Sequence, residues 1–440
     1  MNKILWLLLL PVTIHAQQKN TALLNTYMQS QSKICQFSGT VLLVEKGKVV
    51  YENSFGEADR EWHTINTRDS KYRIGSLTKQ FTAACILLLE EKGKLSLDDK
   101  LNKYIPDYPQ GDVVTIHMLL NQTSGIKDYT QLPDNGSHAD VVPLAPLQMI
   151  NEFKNEPYNF PPGTQWAYSN SNYFLLGYII EMVSGEKYND YLLNNIISKA
   201  KIKNTGVDKI DSILKYRVKG YEDPGNGYIN APYYVMEGPF SAGAMYSTVN
   251  DLYQWDVALM NNKILLPRSI KKMTTPYQGR YGYGLWIDSL GNHKRIWHNG
   301  GIPGFNSCLA YYPTDDLYVV VISNDEANTT AISNALASIL FNFPVINPYK
   351  HKEIAINSAI LDNYVGKYLA TNTLELIKKD NKLYRRGNGS DDMELKPESN
   401  TKFFYADGSD RQIEFEVNKT GKILNAFIIV SGLKTDLKKQ

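Results

Sequence analysis

The stretch "YRIGSLTKQFTAACILLLEEKGKLSL", residues 72–97, places Ser76 and Lys79 at the start of a long apolar run. Segment 76–92 is apolar nearly all round and is followed by Gly93, which predicts a buried helix that ends at the glycine. Residues three apart share a helix face, so the Lys79 amine can approach the Ser76 hydroxyl. The helix N-terminus also offers free N–H groups to a developing negative charge. The stretch therefore fits a nucleophilic serine with a lysine base, or a capping serine followed by a solvated lysine.

Spacing alone does not decide between these two interpretations, because Ser-x-x-Lys is frequent in this chain. It occurs at nine places, which begin at Ser30, Ser76, Ser124, Ser184, Ser198, Ser212, Ser269, Ser399 and Ser431. Only the copy at Ser76 opens a strongly apolar helix and follows a glycine. The other copies are expected to be chance.

Composition limits the classes of partner and cofactor. The 440 residues include 47 basic and 45 acidic side chains, a net charge of +2, and no basic cluster interleaved with aromatic residues. Nucleic acid is therefore not an expected partner. Cysteine occurs three times, at Cys35, Cys85 and Cys308, which implies no disulfide framework, and the last two are expected to be buried thiols. No zinc-type spacing of histidine and cysteine is present, so we expect neither a metal nor a cofactor.

The first residues, "MNKILWLLLLPVTIHAQQKN", have the pattern of a secretory leader. Lys3 supplies the positive start, residues 4–14 the apolar core and Ala16 the small residue before a cleavage site. The alternative is a membrane anchor, but the run is shorter than the roughly 20 residues that span a bilayer. We expect residues 1–16 to be a signal peptide, the mature chain to have no membrane span, and the protein to be periplasmic or secreted.

The remaining chain divides by pattern into two domains. Two β-rich runs surround "EKGK" near the start, and "FNSCLAYYPTDDLYVVVISN" predicts a second hairpin, with helices and loops between. Strands at both ends with helices between them predict an α/β domain, residues 17–346, with one sheet formed by both ends of the domain. Residues 347–356 lose periodicity and form a candidate linker. Short β-runs over residues 357–440 predict a small, all-β, barrel-like domain.

Two further motifs have a setting suited to catalysis. In "PPGTQWAYSNSNY", Tyr168 and Asn170 lie two apart, just before an apolar helix that Gly185 closes. In "IWHNGGIPGFNS", His298 opens the only His-x-Gly of the chain, directly before the hairpin. Glycines there let a substrate backbone approach a strand closely. Either motif taken alone could also be an ordinary turn. The Gly-x-Ser-x-Gly nucleophile motif is absent, since "GPFSAGA" has Pro239 where the first glycine is needed.

Together these motifs resemble the superfamily of serine β-lactamases and penicillin-binding proteins. The similarity is to the branch around class C β-lactamases, DD-peptidases, D-amino-acid peptidases and related esterases, in which Tyr-x-Asn and Lys or His form the second and third motifs. "MLLNQTSGI", "FPPGTQWAYSN", "GYGLWI" and "GGIPGFNSCLAYYP" also fit that branch. The resemblance spans about residues 35–345. It implies a β-lactamase-like fold, α/β (α+β), in which an antiparallel sheet formed by both ends of the domain is accompanied by a helical domain.

By this resemblance Ser76 is the nucleophile that becomes acylated, and Lys79 accepts its proton. Tyr168 would carry a proton to the leaving group, and His298 would support Tyr168 electrostatically. A hydroxyl, a nearby amine and a phenol at a helix end are also what acyl transfer requires on chemical grounds.

The resemblance also implies a substrate site. Asn170 would hold the amide of the substrate, and Asn299, Gly300 and Gly301 would line the edge of the strand. The backbone N–H groups of Ser76 and Gly301 would form the oxyanion hole.

Three positions depart from the usual pattern of the branch. Asn299 stands where a Thr or Ser commonly binds a carboxylate, His298 replaces the Lys, and Gln122 stands where a His often precedes "TSG". The first two departures argue against β-lactam hydrolysis and favour peptides with a D-residue, of the cell-wall type, or small esters. We therefore expect an exported serine hydrolase with a small-molecule or peptide substrate, peptidoglycan-derived fragments included. The alternatives are a penicillin-binding or sensing protein that is acylated without turnover, a β-lactamase, and a degenerate scaffold.

Overall fold

The structure is a computed structural model that describes residues 10–132, 142–225, 227–370, 373–387 and 391–440. The predicted signal peptide lies partly outside these residues, and the helix that begins at Leu10 continues through its predicted end to Ile34. Cleavage and export therefore stay predictions. No helix in the described ranges combines the length and the hydropathy needed to cross a membrane.

The described residues form eleven α-helices, several of them a single turn long. They are α1 Leu10–Ile34, α2 Thr78–Glu91, α3 Ile116–Leu120, α4 Pro146–Phe153, α5 Asn170–Ser184, α6 Tyr188–Leu192, α7 Ser198–Ala200, α8 Phe240–Gly243, α9 Val249–Met260, α10 Pro267–Met273 and α11 Thr329–Leu340. A π-helical segment joins α6 to α7, and short 3₁₀ turns add to these helices. They are Leu193–Ile197 (π) and Gly75–Leu77, Leu101–Lys103, Tyr129–Gln131, Gln278–Arg280 and Ser358–Asn363 (3₁₀).

Strands occur in two long groups and several short pairs. Those before the barrel are β1 Gly39–Glu45, β2 Lys48–Phe55, β3 Glu57–Asp59, β4 Thr64–Ile65, β5 Tyr72–Arg73, β6 Gly206–Val207, β7 Tyr221–Glu222, β8 Ile229–Asn230, β9 Met245–Ser247, β10 Trp286–Leu290, β11 His293–Ile302, β12 Phe305–Tyr312 and β13 Leu317–Ser323. The barrel strands are β14 Gly366–Leu369, β15 Thr373–Lys379, β16 Lys382–Arg385, β17 Met393–Pro397, β18 Lys402–Tyr405, β19 Gln412–Val417, β20 Ile423–Val430 and β21 Leu433–Lys439.

The central sheet is six-stranded and antiparallel, in the order β10-β11-β12-β13-β1-β2. β1 pairs with β13 from Gly39 opposite Ser323 to Glu45 opposite Leu317. Both strands are buried over nearly their whole length, which explains their continuous runs of Val, Leu and Ile. The prediction that both ends of the domain build one sheet is confirmed.

Helix α2 is buried over nearly its whole length. Every residue from Thr78 to Leu89 is buried, and Gly93 beyond its end has a φ of +65°, a conformation that favours glycine. Phe81 stacks on Trp255 at 3.9 Å between ring centroids. The buried apolar helix predicted from residues 76–92 is confirmed. Cys85 in this helix and Cys308 in β12 are buried free thiols, as expected.

The C-terminal strands β14–β21 form a closed barrel in which each strand pairs with the next and β21 pairs with β14. Aromatic rings fill its interior, with Tyr364 stacked on Phe415 at 4.2 Å and Phe403 and Tyr368 packed beside them. The predicted small all-β domain is confirmed. The predicted linker, residues 347–356, contains no helix or strand, and its Tyr349 hydroxyl donates to Glu398 Oε2 at 2.7 Å.

Contacts divide the chain into two compact units. One comprises residues 38–223 and 228–333 and is called the catalytic unit below; the other comprises residues 1–37, 224–227 and 334–440. Within the second unit the Tyr27 hydroxyl of α1 donates to the Ser431 carbonyl at 2.8 Å, so α1 belongs with the barrel by contact. The sequence boundaries at residues 346 and 357 stay predictions.

We expect Gly177→Ala to lower the free energy of unfolding of the catalytic unit by about 1–3 kcal/mol, the usual cost of overpacking. A Cβ on Gly177 of α5 would lie 1.9 Å from Ser241 Oγ of α8, so one of the two helices must move. Urea unfolding followed by tryptophan fluorescence measures this unit, because five of the six tryptophans lie within it.

Met182→Ala is the matched control, since Met182 lies on the same helix but is 55% exposed. Its expected effect is within about 0.5 kcal/mol. An equal loss in both variants would contradict tight packing of α5 against α8.

Candidate active site

Glycines bring the turn that carries Ser76 against strand β11. Gly75 has a φ of +51°, and a Cβ there would lie 2.8 Å from the Gly301 nitrogen. A Cβ on Gly300 would lie 1.9 Å from the Ile74 carbonyl oxygen and 2.9 Å from the Ser76 nitrogen. Neither position tolerates a side chain without a shift of backbone. These glycines therefore place the predicted oxyanion-hole N–H groups of Ser76 and Gly301 in adjacent segments.

Side-chain hydrogen bonds fix the same turn from two other directions. The Ser307 hydroxyl of β12 donates to the Ile74 carbonyl at 2.8 Å. The Thr78 hydroxyl donates to the Gly75 carbonyl at 2.7 Å and accepts from the Met245 N–H at 3.2 Å. Ser76 itself is partly exposed. The nucleophile predicted from the sequence thus lies in an immobilised 3₁₀ turn, directly before α2, and is open to solvent.

Lys79 lies one turn further along and is fully buried. Its Nζ donates to Ser76 Oγ at 2.9 Å, to Asn170 Oδ1 at 2.8 Å and to the Ala242 carbonyl at 2.8 Å. Burial lowers the pKa of Lys79 to about 7, although the nearby Asp128 charge acts in the opposite direction. Near pH 7 an amine with this pKa is unprotonated in a large fraction of the molecules. The unprotonated amine can accept the proton of Ser76.

Tyr168 lies beside both groups and remains a phenol at neutral pH. Lys79 Nζ is 4.9 Å from the centroid of the Tyr168 ring. Burial raises the pKa of the Tyr168 hydroxyl above its ordinary value, while a hydrogen bond with Ser76 opposes the rise. The hydroxyl is therefore a proton donor rather than a base in the resting protein, and Lys79 is the basic group of the site.

Asp128 is a member of the site that the sequence did not reveal. Asn170 Oδ1 accepts from Lys79, and Asn170 Nδ2 donates to Asp128 Oδ2 at 3.0 Å, so a chain of hydrogen bonds runs from the carboxylate to the amine. Asp128 is 4% exposed. In the sequence it lies in "SGIKDYT", where a polar residue after a helix is typical of any turn. The substrate-binding role expected of Asn170 stays a prediction; in the structure its amide orients Lys79.

His298 is uncharged at neutral pH, so the electrostatic support of Tyr168 expected from it does not come from an imidazolium. His298 is 1% exposed, and burial, together with the charge of Lys79, lowers its pKa to about 3. Its Nδ1 lies 2.5 Å from the Asn299 carbonyl oxygen, to which it donates, so Nε2 accepts from the Tyr281 hydroxyl at 2.9 Å. The His298 and Tyr168 rings are 6.2 Å apart between centroids. His298 therefore packs beside Tyr168 and Tyr281 as a neutral ring, and its role toward Tyr168 stays a prediction.

Gln122 holds the segment that carries Tyr168. Its Oε1 accepts from the Ser169 N–H at 3.1 Å and from Asn172 Nδ2 at 2.6 Å, and its carbonyl accepts from the Ala167 N–H at 3.1 Å. Gln122, which departs from the usual pattern of the branch, thus fixes the backbone of the segment just before α5 by hydrogen bonds.

The other predicted strand residues alternate across β11. Asn299 and Gly301 are exposed, whereas His298 and Gly300 are buried, as expected for successive residues of a strand. The pairing of β11 with β10 ends at Trp297 opposite Trp286, the first residue of β10. Beyond Trp297 this edge of β11 faces the Ser76 turn, while the other edge stays paired with β12. Asn299 makes no contact with Ser76 or Lys79 among the described hydrogen bonds, and its substrate-binding role stays a prediction.

The described residues contain no group of three or more His, Cys, Asp or Glu side chains that could hold a metal ion. The groups brought together are a hydroxyl, an amine, a phenol and backbone N–H donors, which are the parts of an acyl-transfer site.

A family model described as Beta-lactamase matches residues 24–340. The chain belongs to the Beta-lactamase family. Penicillin-binding protein 4* of Bacillus subtilis (strain 168) is 32% identical over 414 residues, which cover 87% of this chain and 90% of that protein. The octameric penicillin-binding protein homologue from Pyrococcus abyssi has a TM-score of 0.68 at 25% identity and covers 95% of this chain and 99% of its own. A D-stereospecific amidohydrolase from Streptomyces sp. has a TM-score of 0.62 at 25% identity over 70% of this chain and 96% of its own.

These matches confirm the resemblance to serine β-lactamases and penicillin-binding proteins that the motifs predicted, together with the fold that it implied. The class C branch itself stays a prediction. Within this Beta-lactamase family protein, Lys79 and its three hydrogen bonds are the feature that most directly suits the site for catalysis.

We expect Asp128→Asn to move the acidic limb of the pH profile for acylation of Ser76 to lower pH. Lys79 must be neutral to accept a proton, so activity rises as pH increases through the Lys79 pKa. The Asp128 charge raises that pKa, and its removal lets the amine lose its proton at lower pH. Asparagine keeps an oxygen that can accept from Asn170. Rates of Ser76 acylation between pH 5 and pH 9 test this.

Asp107→Asn is the control, because Asp107 is an exposed carboxylate paired with Lys154 outside the site. Its profile should match that of the wild type. An acidic limb that stays in place in Asp128→Asn would mean that the carboxylate does not influence the proton on Lys79.

Proposed function

We propose that this protein is an exported serine hydrolase that forms an acyl-enzyme on Ser76 and acts on peptides with a D-residue, of the cell-wall type. The observation that carries the proposal is the 2.9 Å contact between the buried Lys79 amine and Ser76 Oγ, combined with a Lys79 pKa lowered to about 7. Family relatives named as penicillin-binding proteins and as a D-stereospecific amidohydrolase support this substrate class. Small esters are the second class of substrate that the same chemistry would accept.

The proposed reaction begins with transfer of the Ser76 proton to Lys79 as Oγ attacks the substrate carbonyl. The negative charge that develops on the carbonyl oxygen faces the N–H groups of Ser76 and Gly301. The Tyr168 phenol then protonates the leaving amine or alcohol, and Lys79, now charged, returns a proton to Tyr168. Water attacks the acyl-enzyme with the same groups in reverse order, which releases the acid and restores Ser76.

The rival function is a penicillin-binding or sensing protein that is acylated without turnover, and a β-lactamase is the other alternative. A complete set of proton-transfer groups favours turnover, since a binder needs only the first half of the reaction. Asn299 offers no hydroxyl to a substrate carboxylate, which favours D-peptides and esters over β-lactams. Release of product well beyond one equivalent would support an enzyme, whereas one equivalent followed by no further release would support a binder.

We expect Ser76→Ala to abolish both turnover and covalent labelling by a fluorescent penicillin or a fluorophosphonate, because it removes the only hydroxyl bonded to Lys79 among the described residues. Ser198→Ala is the control, since Ser198 also begins a Ser-x-x-Lys on a helix but is exposed. Gel fluorescence and intact mass measure the labelling. A label that persists in Ser76→Ala and is lost in another variant would place the nucleophile elsewhere.

Export carries its own test, because it rests on the leader pattern of residues 1–16 rather than on the site. We expect the protein recovered from a Gram-negative host to lie in the periplasmic fraction and to begin just after Ala16. Replacement of apolar residues 7–10, all leucine, by four asparagines should retain it in the cytoplasm at full length. N-terminal sequencing of fractionated cells decides between these outcomes, and full-length protein in the periplasm would contradict cleavage.

A further inference from the structure

A second concave site lies in the catalytic unit and has a strongly basic wall. It is a cavity of about 250 Å³ whose charged lining consists of Lys71, Arg73, Arg217, Lys219 and the single carboxylate Asp208. Apolar side chains, Ile210, Leu214 and Phe305 among them, complete the wall. A pocket that combines apolar surface with a few converging charges is suited to a small ligand of the opposite charge.

One buried carboxylate holds both arginines in place. Arg73 Nε donates to Asp208 Oδ2 at 2.8 Å, and Arg217 Nη2 donates to Asp208 Oδ1 at 2.7 Å. The Asp208 side chain is 3% exposed, so it has no further room for a partner from solvent. Each guanidinium carries five N–H donors, and the described hydrogen bonds use one nitrogen of each. The remaining donors are fixed in direction and available.

The lysines of this cavity differ in how their charge is balanced. Lys219 pairs with Asp59 at 3.2 Å and Glu61 at 2.6 Å, neither of which lines the cavity. Lys71 makes no ion pair among the described residues. Three cations, Lys71, Arg73 and Arg217, therefore face one carboxylate. One arginine would be enough to neutralise Asp208 in a purely structural ion pair. The excess positive charge on the wall of the cavity favours an anionic ligand.

The cavity lies close to the reacting groups. Arg73 is three residues before Ser76, and a fully extended chain spans at most about 3.6 Å per residue, so their Cα atoms are within about 11 Å. Pro303, another lining residue, is two residues after Gly301 and within about 7 Å of it on the same basis. These distances equal about two or three residues of extended chain, so a short acyl chain attached to Ser76 is long enough to reach the basic wall.

We propose that this cavity binds a carboxylate on the acyl part of the substrate, the part that stays on Ser76 in the acyl-enzyme. The inference rests on the proposed function and narrows its substrate class to acidic acyl donors. Arg73 and Arg217 present paired N–H groups of the kind that bind a carboxylate in two places, and Lys71 adds a point charge. The apolar wall receives the methylene groups that lead to the carboxylate.

The test uses two matched substrates, succinyl-D-alanine p-nitroanilide and its succinamoyl counterpart, in which a neutral amide replaces the carboxylate. The wild-type protein should have the higher kcat/KM on the charged substrate. Arg217→Gln should lower that value about tenfold or more, as expected for loss of a charge-assisted hydrogen bond, and leave the neutral substrate unchanged. Asp208 keeps its bond to Arg73 in this variant, so the wall stays ordered.

Lys103→Gln is the control, because Lys103 is an exposed lysine that pairs with Asp99 and does not line the cavity; its kcat/KM on both substrates should match that of the wild type. Equal kcat/KM values for the two substrates in the wild type, or an equal loss on both in Arg217→Gln, would overturn the carboxylate site while leaving the proposed serine hydrolase activity intact.

Hydrolysis of neither substrate would instead count against the proposed function. In that case, calorimetric titration of the Ser76→Ala protein with glutarate decides for the cavity: binding that Arg217→Gln abolishes supports it, and absence of binding overturns it.

Discussion

Burial of one amine determines how the rest of the site is built. An ammonium group without water needs partners for all three of its N–H bonds, and Lys79 finds them in Ser76, Asn170 and Ala242, which come from three different segments of the chain. Helices α5 and α8, which carry Asn170 and Ala242, therefore lie close to α2. They also pack tightly on each other, since Gly177 of α5 has no room for a side chain beside Ser241 of α8. The same burial that lowers the pKa of Lys79, so that its amine can be unprotonated near neutral pH, also keeps the neighbouring imidazole uncharged.

The features predictable from the sequence are those that a short segment encodes by itself. Ser76 and Lys79 are three residues apart in one apolar helix, so their contact follows from helix geometry. The hairpins β1–β2 and β12–β13 follow from runs of β-branched residues around turns, and the regular β-runs after residue 357 predict the barrel. Tyr168 could be placed in the site only by the resemblance of its motif, since its distance from Lys79 depends on the packing of two helices.

What the sequence could not reveal depends on burial and on contacts between distant segments. Asp128 becomes part of the site through Asn170, 42 residues away. The sequence does not show whether a histidine in a strand is solvated or is buried beside a cation. The neutral state of His298 could therefore be recognised only from the structure. The basic cavity likewise joins strand β5 to residues 208–220 and 230–232, and each of its charges alone resembles an ordinary surface residue.

The closure of the central sheet by β1 and β13 has a consequence for how the chain folds. Gly39 pairs with Ser323, so the middle of the sheet joins residues separated by almost the length of the catalytic unit. Contacts of such long sequence separation form late and slow the folding of a domain. During synthesis, the inner edge of β1 stays unpaired until residues 317–323 have left the ribosome. A nascent chain with an exposed "TVLLV" strand is open to wrong pairing, and a chaperone that covers this segment would raise the yield of folded protein.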